Sequence, residues 1–183
     1  MALVNFAEIV NMDLSVLNDW VVQVNSSVSL LCILLLLLVF FADKHLNSSS
    51  IGLLVLCLGE GMSSIATPHL RDIASTPAPL NFFAWYGGWM IMYILCLALL
   101  LKFHRIFRLR VSDVALTVAG YYAILTIIQA VDFIDRVTFD SGIFAKFYQL
   151  STLLMIIFVV PVVGFMFWRE HSKRLSRLKL QEA

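Results

Sequence analysis

Charged residues are scarce in this chain of 183 residues: Asp, Glu, Lys and Arg together make up only 14% of it. Soluble domains carry about 25% charged and about 45–50% apolar residues, whereas apolar residues make up 61% of this sequence. The net charge is only +1, so the chain lacks the basic excess that marks nucleic-acid-binding proteins. The composition therefore predicts a protein whose partner is the lipid bilayer, and no nucleic-acid partner.

Cysteine is also rare, and its placement argues against a metal centre or a disulfide framework. Cys32, Cys57 and Cys96 all fall inside apolar stretches and lack the paired spacing of zinc ligands or disulfides. The histidines all fall near the ends of apolar stretches: His45, His69, His104 and His171. We therefore expect no metal, no haem or other cofactor and no catalytic residue, with no histidine at the membrane depth of a candidate nucleophile.

Five apolar segments are each able to cross a bilayer, whose hydrocarbon core of about 30 Å needs about 20 helical residues. They cover about 21–42, 51–67, 82–103, 113–133 and 146–168. The second ends at Thr67-Pro68, because the residue before a proline is disfavoured in helices. The loops are too short for a soluble domain, so residues 1–183 are predicted to form one all-α membrane bundle. The alternative is four spans, with a re-entrant second segment.

Two further helical elements flank the five predicted spans. In 3–21, apolar residues recur at helical spacing opposite acidic and amide residues, which predicts an N-terminal amphipathic helix packed on protein at the outer surface. In 169–183, leucines alternate with Lys and Arg, and the segment is expected to continue the fifth helix. Lys173, Arg174 and Arg177 are candidate docking residues for a cytoplasmic partner. The alternative is a basic collar that only anchors the helix end.

Basic residues lie mainly on one side of the predicted spans. Ten of the 13 Lys and Arg residues fall in the 43–50 loop, the 102–112 loop and the C-terminal tail. The positive-inside rule places that side in the cytoplasm. We therefore expect the N-terminus outside and the C-terminus in the cytoplasm, with a bacterial inner membrane as the default for a chain with such short loops.

Glu60 is the first candidate for an ion, proton or ligand site. It lies nine residues into the second segment, which at about 1.5 Å per residue is roughly 14 Å deep. A carboxylate near the bilayer middle must face the bundle interior and find a partner. The alternative is a structural role, in which Glu60 hydrogen-bonds a neighbouring helix that Gly59 and Ser63 allow to approach closely.

A polar stripe near the outer end of the fourth segment is the second candidate. Gln129, Asp132 and Asp135 are spaced by three, which places them on one helix face, and Asp132 can pair with Arg136. Together with Glu60 and with His69 of the outer loop, these groups are expected to form an acidic vestibule that attracts cations. The alternative is a solvated helix end with an internal ion pair.

The third candidate is an aromatic run at the start of the third segment. Trp85, Tyr86, Trp89 and Tyr93 would line a pocket for an apolar or cationic ligand. Aromatic residues also gather at membrane interfaces, so the alternative is an aromatic belt.

These features predict a small, non-enzymatic, multi-span protein that works by assembly with itself or with a membrane-protein partner. Sensing, gating or an accessory role fits best. The plan is similar to that of the membrane-sensing regions ahead of bacterial kinase or cyclase domains, although no motif is shared. Two other hypotheses are an ion channel or proton-coupled carrier that uses Glu60, and a lipid-acting membrane enzyme that uses Glu60, His69 and Asp132.

Overall fold

A computed structural model of the chain describes residues 14–43, 47–75, 79–139 and 143–182. These residues form five helices and contain no strand, which confirms the predicted all-α fold. The helices are α1 (Leu14–Asp43), α2 (Ser48–Ser75), α3 (Pro79–Ile106), α4 (Asp113–Thr138) and α5 (Ile143–Glu182). The end of the bundle where α2 and α4 finish is called the outer end, after the predicted orientation, and the opposite end the inner end.

Four of the described helices are long and apolar enough to cross a membrane: Ser48–Ile73, Phe83–Ile106, Asp113–Thr138 and Phe147–Ser176. The apolar stretch described in α1, Ser26–Ala42, is shorter. The predicted membrane bundle is therefore confirmed for four spans, with α1 packed beside them as a fifth helix. The re-entrant alternative for the second segment is wrong, because α2 is one continuous helix of 28 residues.

The predicted end of the second segment at Thr67-Pro68 is also wrong, because α2 continues through the proline to Ser75. Pro68 cannot donate a helical hydrogen bond. The hydroxyl of the preceding residue, Thr67, donates to the Ser63 carbonyl oxygen at 2.6 Å. Hydroxyl side chains of this kind help membrane helices to tolerate proline, and the local rule for soluble helices therefore fails here.

The two flanking elements join the helices beside them. Residues 14–21, the second half of the predicted amphipathic helix, form the first turns of α1 and run directly into the first predicted span. Residues 3–13 of that prediction lie outside the described residues. At the other end, α5 runs for 40 residues to Glu182, which confirms that the basic tail continues the fifth helix.

The helices pack in chain order, and α5 returns to contact α1, so the bundle closes on itself. In addition, α2 contacts α4 across the bundle. About 56% of the apolar window of α2 is buried, against 28–39% in the other three spans. Hence α2 is the central span, and groups on it and on the facing side of α4 lie furthest from lipid.

Glycines bring α2 and α4 close together. A Cβ atom at Gly52 would lie 3.0 Å from the Cα of Ala115, and one at Gly59 would lie 2.0 Å from the Tyr122 hydroxyl oxygen. Small residues allow this approach between membrane helices. The close contact positions Glu60, the next residue after Gly59, directly against α4.

Candidate functional site

Glu60 faces the bundle interior and has a partner on α4. Its side chain is 3% exposed, and its Oε1 accepts a hydrogen bond of 3.0 Å from the Tyr121 hydroxyl. From α1, the Ser29 hydroxyl donates to the Glu60 backbone carbonyl at 3.0 Å. The expectation that this carboxylate turns inward and finds a partner is confirmed. Its use as a proton, ion or ligand site stays a prediction.

At the outer end, Asp132 joins α3 to α4. One carboxylate oxygen, Oδ2, accepts hydrogen bonds from the Tyr86 hydroxyl and from Arg136 Nε, the latter at 3.4 Å. Asp132 and Tyr86 are both buried, whereas the Arg136 side chain is 37% exposed. The predicted pair between Asp132 and Arg136 is therefore confirmed.

The predicted polar stripe lies inside the protein rather than in solvent. Gln129 and Asp132 are each 1% exposed, and Asp135 is 5% exposed. The alternative of a solvated helix end is therefore wrong for these three residues. These three residues and the two that bond Asp132 are called the outer layer: Tyr86, Gln129, Asp132, Asp135 and Arg136.

Several buried polar atoms in and beside the outer layer have no hydrogen-bond partner within the part of the chain that the structure describes. They are Gln129 Oε1 and Nε2, Asp132 Oδ1, Trp89 Nε1, Gln149 Oε1 and Thr152 Oγ1. An unsatisfied buried polar group costs about 1–3 kcal/mol, and native proteins commonly meet such groups with water or a bound ion. Two of these residues, Gln129 and Asp132, belong to the outer layer.

A cavity of about 140 Å³ lies beside Asp132, between α4 and α5. Apart from Asp132 its walls are apolar or aromatic: Ile127, Ile128, Val131, Phe144, Phe147 and Tyr148. The space is sufficient for several water molecules or one small ligand. It provides room next to the unmet atoms of the outer layer.

The structure does not assemble the whole predicted vestibule. His69 is exposed near the outer end of α2, and nine residues place it roughly 14 Å along the helix from Glu60 and on the opposite face. Glu60 is also separate from the outer layer, because its partner Tyr121 lies about 12 Å along α4 from Gln129. The set of Glu60, His69 and Asp132 required for a lipid-acting enzyme is therefore not brought together.

Three of the four predicted aromatic residues, Trp85, Trp89 and Tyr93, contact one another in sequence along α3, whereas Tyr86 packs against Phe133 and Tyr148. The ring centroids are 5.8 Å apart for Trp85 and Trp89 and 6.1 Å apart for Trp89 and Tyr93, and the Tyr93 ring stacks on Tyr122 of α4 at 6.0 Å. Tyr86, Trp89 and Tyr93 are buried, so a belt at the membrane surface is the wrong description for them. Trp85, Trp89, Tyr93 and Tyr122 form a continuous series of ring contacts from α3 to α4.

At the inner end, the structure shows a polar contact that sequence reasoning missed. Ser48 Oγ lies 2.7 Å from His104 Nε2 and accepts the Ser112 backbone N–H at 2.8 Å. His104 Nδ1 lies 2.8 Å from the Leu100 carbonyl oxygen. Because that carbonyl can only accept, His104 Nδ1 carries a proton and is the donor in this hydrogen bond.

Sequence reasoning did not pair Ser48 and His104, which both lie just outside the predicted apolar segments. Ser48 and His104 are both only 7% exposed, and the serine oxygen already accepts a backbone hydrogen bond. The contact joins the starts of α2 and α4 to the end of α3. A sequence signal did exist, since both residues flank inner ends of predicted spans, but 56 residues separate them.

Glu170 of α5 holds the starts of α2 and α4 together. Its Oε2 accepts from the Ser49 hydroxyl at 2.7 Å, and its Oε1 accepts from the Asp113 backbone N–H at 2.5 Å. Helix N-termini favour a negative charge because their N–H groups point outward. Asp113 is in turn paired with Arg169 at 2.9 Å. These contacts, together with Ser48, His104 and Ser112, are called the inner network.

The predicted docking residues lie just beyond the inner network. Arg174 is within 3.9 Å of Glu170, so it faces the network, whereas Lys173 is exposed. The side chain of Arg177 lies outside the described residues. Within the described chain no group of three or more His, Cys, Asp and Glu side chains is arranged to hold a metal ion.

Comparison with known proteins identifies no relative. The sequence matches no protein-family model, no curated protein and no solved structure. Function is therefore inferred from the placement of the buried polar groups. Among the described helices only α4 contributes to all of them, through Asp132 at the outer layer, Tyr121 beside Glu60 and Asp113 at the inner network.

Proposed function

We propose that this chain is a non-enzymatic membrane protein that senses a small polar or ionic ligand at the outer layer and relays its presence to the cytoplasmic extension of α5. The observation that carries the proposal is the continuity of α4. Its outer half holds the unmet atoms of Gln129 and Asp132, and its first residue is bonded to Glu170. We place the protein in a bacterial inner membrane with its C-terminus in the cytoplasm.

The outer layer supplies the differential contacts that a sensor needs. A ligand shifts a conformational equilibrium only by binding one state better than the other. Here the ligand would gain a hydrogen bond to Asp132 Oδ1, which has no hydrogen-bond partner in the described structure, and it would compete for the Gln129 amide, which lies beside Tyr148. Asp132 and Gln129 both belong to α4, so the favoured state is one in which this helix has turned or shifted to complete those bonds.

The inner network supplies the response. A turn or shift of α4 acts directly on the hydrogen bond between the Asp113 N–H and Glu170. Small helix shifts at packed contacts are an established means of switching. Release of Glu170 frees the base of the α5 extension, where Arg174 faces the same carboxylate. The basic residues of the extension then engage a partner in the cytoplasm.

A double-mutant cycle between Asp132→Asn and Glu170→Gln tests the relay. The full chain is unfolded in detergent, and the free energy of unfolding is measured for the single and double variants. Distant, independent sites add within about 0.3–0.5 kcal/mol, whereas coupled sites deviate by about 0.5–2 kcal/mol. The matched control pairs Glu170→Gln with Asp72→Asn, an exposed carboxylate at the outer end of α2. Additive effects at Asp132 would show that the relay proposal is wrong.

Charge reversal tests the output. The variant with Lys173→Glu, Arg174→Glu and Arg177→Glu should insert normally but lose a partner, which lowers the native mass of the complex extracted in mild detergent. Lys102→Glu, at an exposed position on the inner end of α3, is the control and should keep the wild-type mass. If the triple variant keeps the wild-type native mass, the extension of α5 only anchors the helix end at the membrane.

The second candidate function is proton-coupled or ion transport through Glu60. It is favoured by the burial of a carboxylate in the central span with Tyr121 as its partner. Wild-type protein in liposomes would then carry protons or ions, and Glu60→Gln would abolish the flux while Asp72→Asn keeps it. Wild-type flux that persists in Glu60→Gln rules out this candidate. If the wild-type protein carries no proton or ion flux, the sensing function is favoured.

A further inference from the structure

One face of α5 at the inner end carries aromatic, hydroxyl and basic side chains in a continuous stripe. Its residues recur every three or four positions, which places them on one helix face. They line a groove of about 410 Å³: Phe165, Trp168, Arg169, Ser172, Lys173 and Ser176. This face is open, since Phe165 and Trp168 are 61% and 69% exposed. We call it the α5 stripe.

The order of side chains along the α5 stripe matches the order of groups in a phospholipid. Phe165 and Trp168 come first, on the side of the apolar span, and offer large rings to an acyl chain. Arg169 and Lys173 follow, and they donate charge-assisted hydrogen bonds to phosphate oxygens. Tryptophan and basic residues at this level are typical of the membrane interface.

Arg169 is held ready for such a headgroup. Its guanidinium donates to Asp113 Oδ2 at 2.9 Å, which fixes the side chain while other N–H donors stay available, because arginine has five. Further exposed basic residues surround this end of the bundle: Lys102, Arg105, Arg108 and Arg110. The resulting positive potential attracts anionic lipids and favours them over zwitterionic ones.

We propose that the α5 stripe binds an anionic phospholipid of the inner leaflet, with the phosphate between Arg169 and Lys173 and an acyl chain along Phe165 and Trp168. The assignment does not depend on the sensing function. The lipid would cover the exposed face of α5. Glu170 lies on another face of α5 and hydrogen-bonds the first residues of α2 and α4.

Native mass spectrometry of the full-length protein tests the site with equal amounts of phosphatidylglycerol and phosphatidylcholine. Wild-type protein should retain phosphatidylglycerol preferentially. A basic residue near a membrane surface contributes about 1 kcal/mol toward anionic lipid, so Lys173→Gln should weaken retention about fivefold and Lys173→Gln with Arg169→Gln about 30-fold. Lys102→Gln removes one lysine at the same end but outside the α5 stripe, and it should weaken retention clearly less than Lys173→Gln does.

Fluorescence quenching then localises the lipid. In vesicles, phosphatidylglycerol with acyl chains brominated near the headgroup should quench the protein more than equally brominated phosphatidylcholine. The difference should vanish in Trp168→Phe and shrink in Lys173→Gln. Three outcomes would overturn the proposal: no lipid preference in wild type, an equal loss of retention in Lys102→Gln and Lys173→Gln, or a quenching difference that is unchanged in Trp168→Phe. Displacement of the lipid by free inorganic phosphate would likewise show a site for a soluble anion.

Discussion

At Gly59, the absence of a side chain decides how closely α2 and α4 approach. A Cβ atom there would lie 2.0 Å from the Tyr122 hydroxyl oxygen and 3.0 Å from Cys96 Sγ. Overpacking of this kind costs about 1–3 kcal/mol. We expect Gly59→Ala to lower the free energy of unfolding by that amount, measured in detergent.

The neighbouring glycine is a matched control for this substitution. A Cβ atom at Gly61 would meet nothing within 4 Å. Alanine also favours a helix over glycine by about 0.5–1 kcal/mol, so Gly61→Ala should leave stability unchanged or raise it. Equal losses in the two variants would contradict the close contact described at Gly59.

Ser48 provides the second prediction at the residue scale. Its hydroxyl accepts from the Ser112 N–H and hydrogen-bonds His104 Nε2, so Ser48→Ala leaves two polar groups of the inner network without this partner. A buried group without its partner costs about 1–3 kcal/mol, and thermal unfolding should show a loss of this order. Ser27→Ala, which removes an exposed bond to the Gln23 carbonyl, should change stability little. A harmless Ser48→Ala would show that the inner network does not stabilise the bundle.

Some of the site residues were predictable from the sequence because their relation is local. Asp132 and Arg136 are four residues apart on one helix, so their pairing follows from helical geometry. The contact between Ser48 and His104 is different, because it depends on which helix ends meet, and no local pattern encodes that. The burial of Gln129 likewise depends on the packing of α3 and α5 around α4.

At the scale of the helices, the packing of α1 on α2 can be tested by cross-linking. Cys32 of α1 and Cys57 of α2 have neighbouring side chains, and both cysteines are free. Mild oxidation should therefore join them within one chain and lower its mass by two hydrogens. Cys57→Ser should abolish this cross-link, while Cys96→Ser should leave it intact. If the mass is unchanged after treatment with the oxidant, the described packing of α1 on α2 is contradicted.

The existence and order of the helices followed from the apolar segments, but not all of their ends did. α2 passes Pro68 and reaches Ser75, where a rule drawn from backbone sterics predicted an end. In an apolar medium every backbone group must be satisfied within the protein, so a helix is favoured for longer than in water. Residues 14–21 similarly extend α1 instead of forming a separate surface element.

For the whole molecule, the orientation follows from the distribution of basic residues and can be measured by labelling. Single-cysteine variants are made at two exposed positions, Asp72→Cys at the outer end and Ser176→Cys at the inner end. A maleimide that cannot cross membranes should label the first in intact cells and the second only after permeabilisation. The reverse pattern would invert the predicted topology and move the α5 stripe to the other leaflet.

The central position of α2 has a consequence for how the protein is inserted into the membrane during synthesis. α2 has the lowest mean hydropathy of the four spans, and the Tyr121 partner of Glu60 lies 61 residues later in the chain. At about 5–20 residues per second, the ribosome needs about 3–12 s to make that distance. During this time the nascent helix holds a carboxylate without its final partner, at a cost of about 3 kcal/mol in insertion assays. Insertion of α2 therefore requires that the Glu60 carboxylate be stabilised by other groups until α4 has been synthesised.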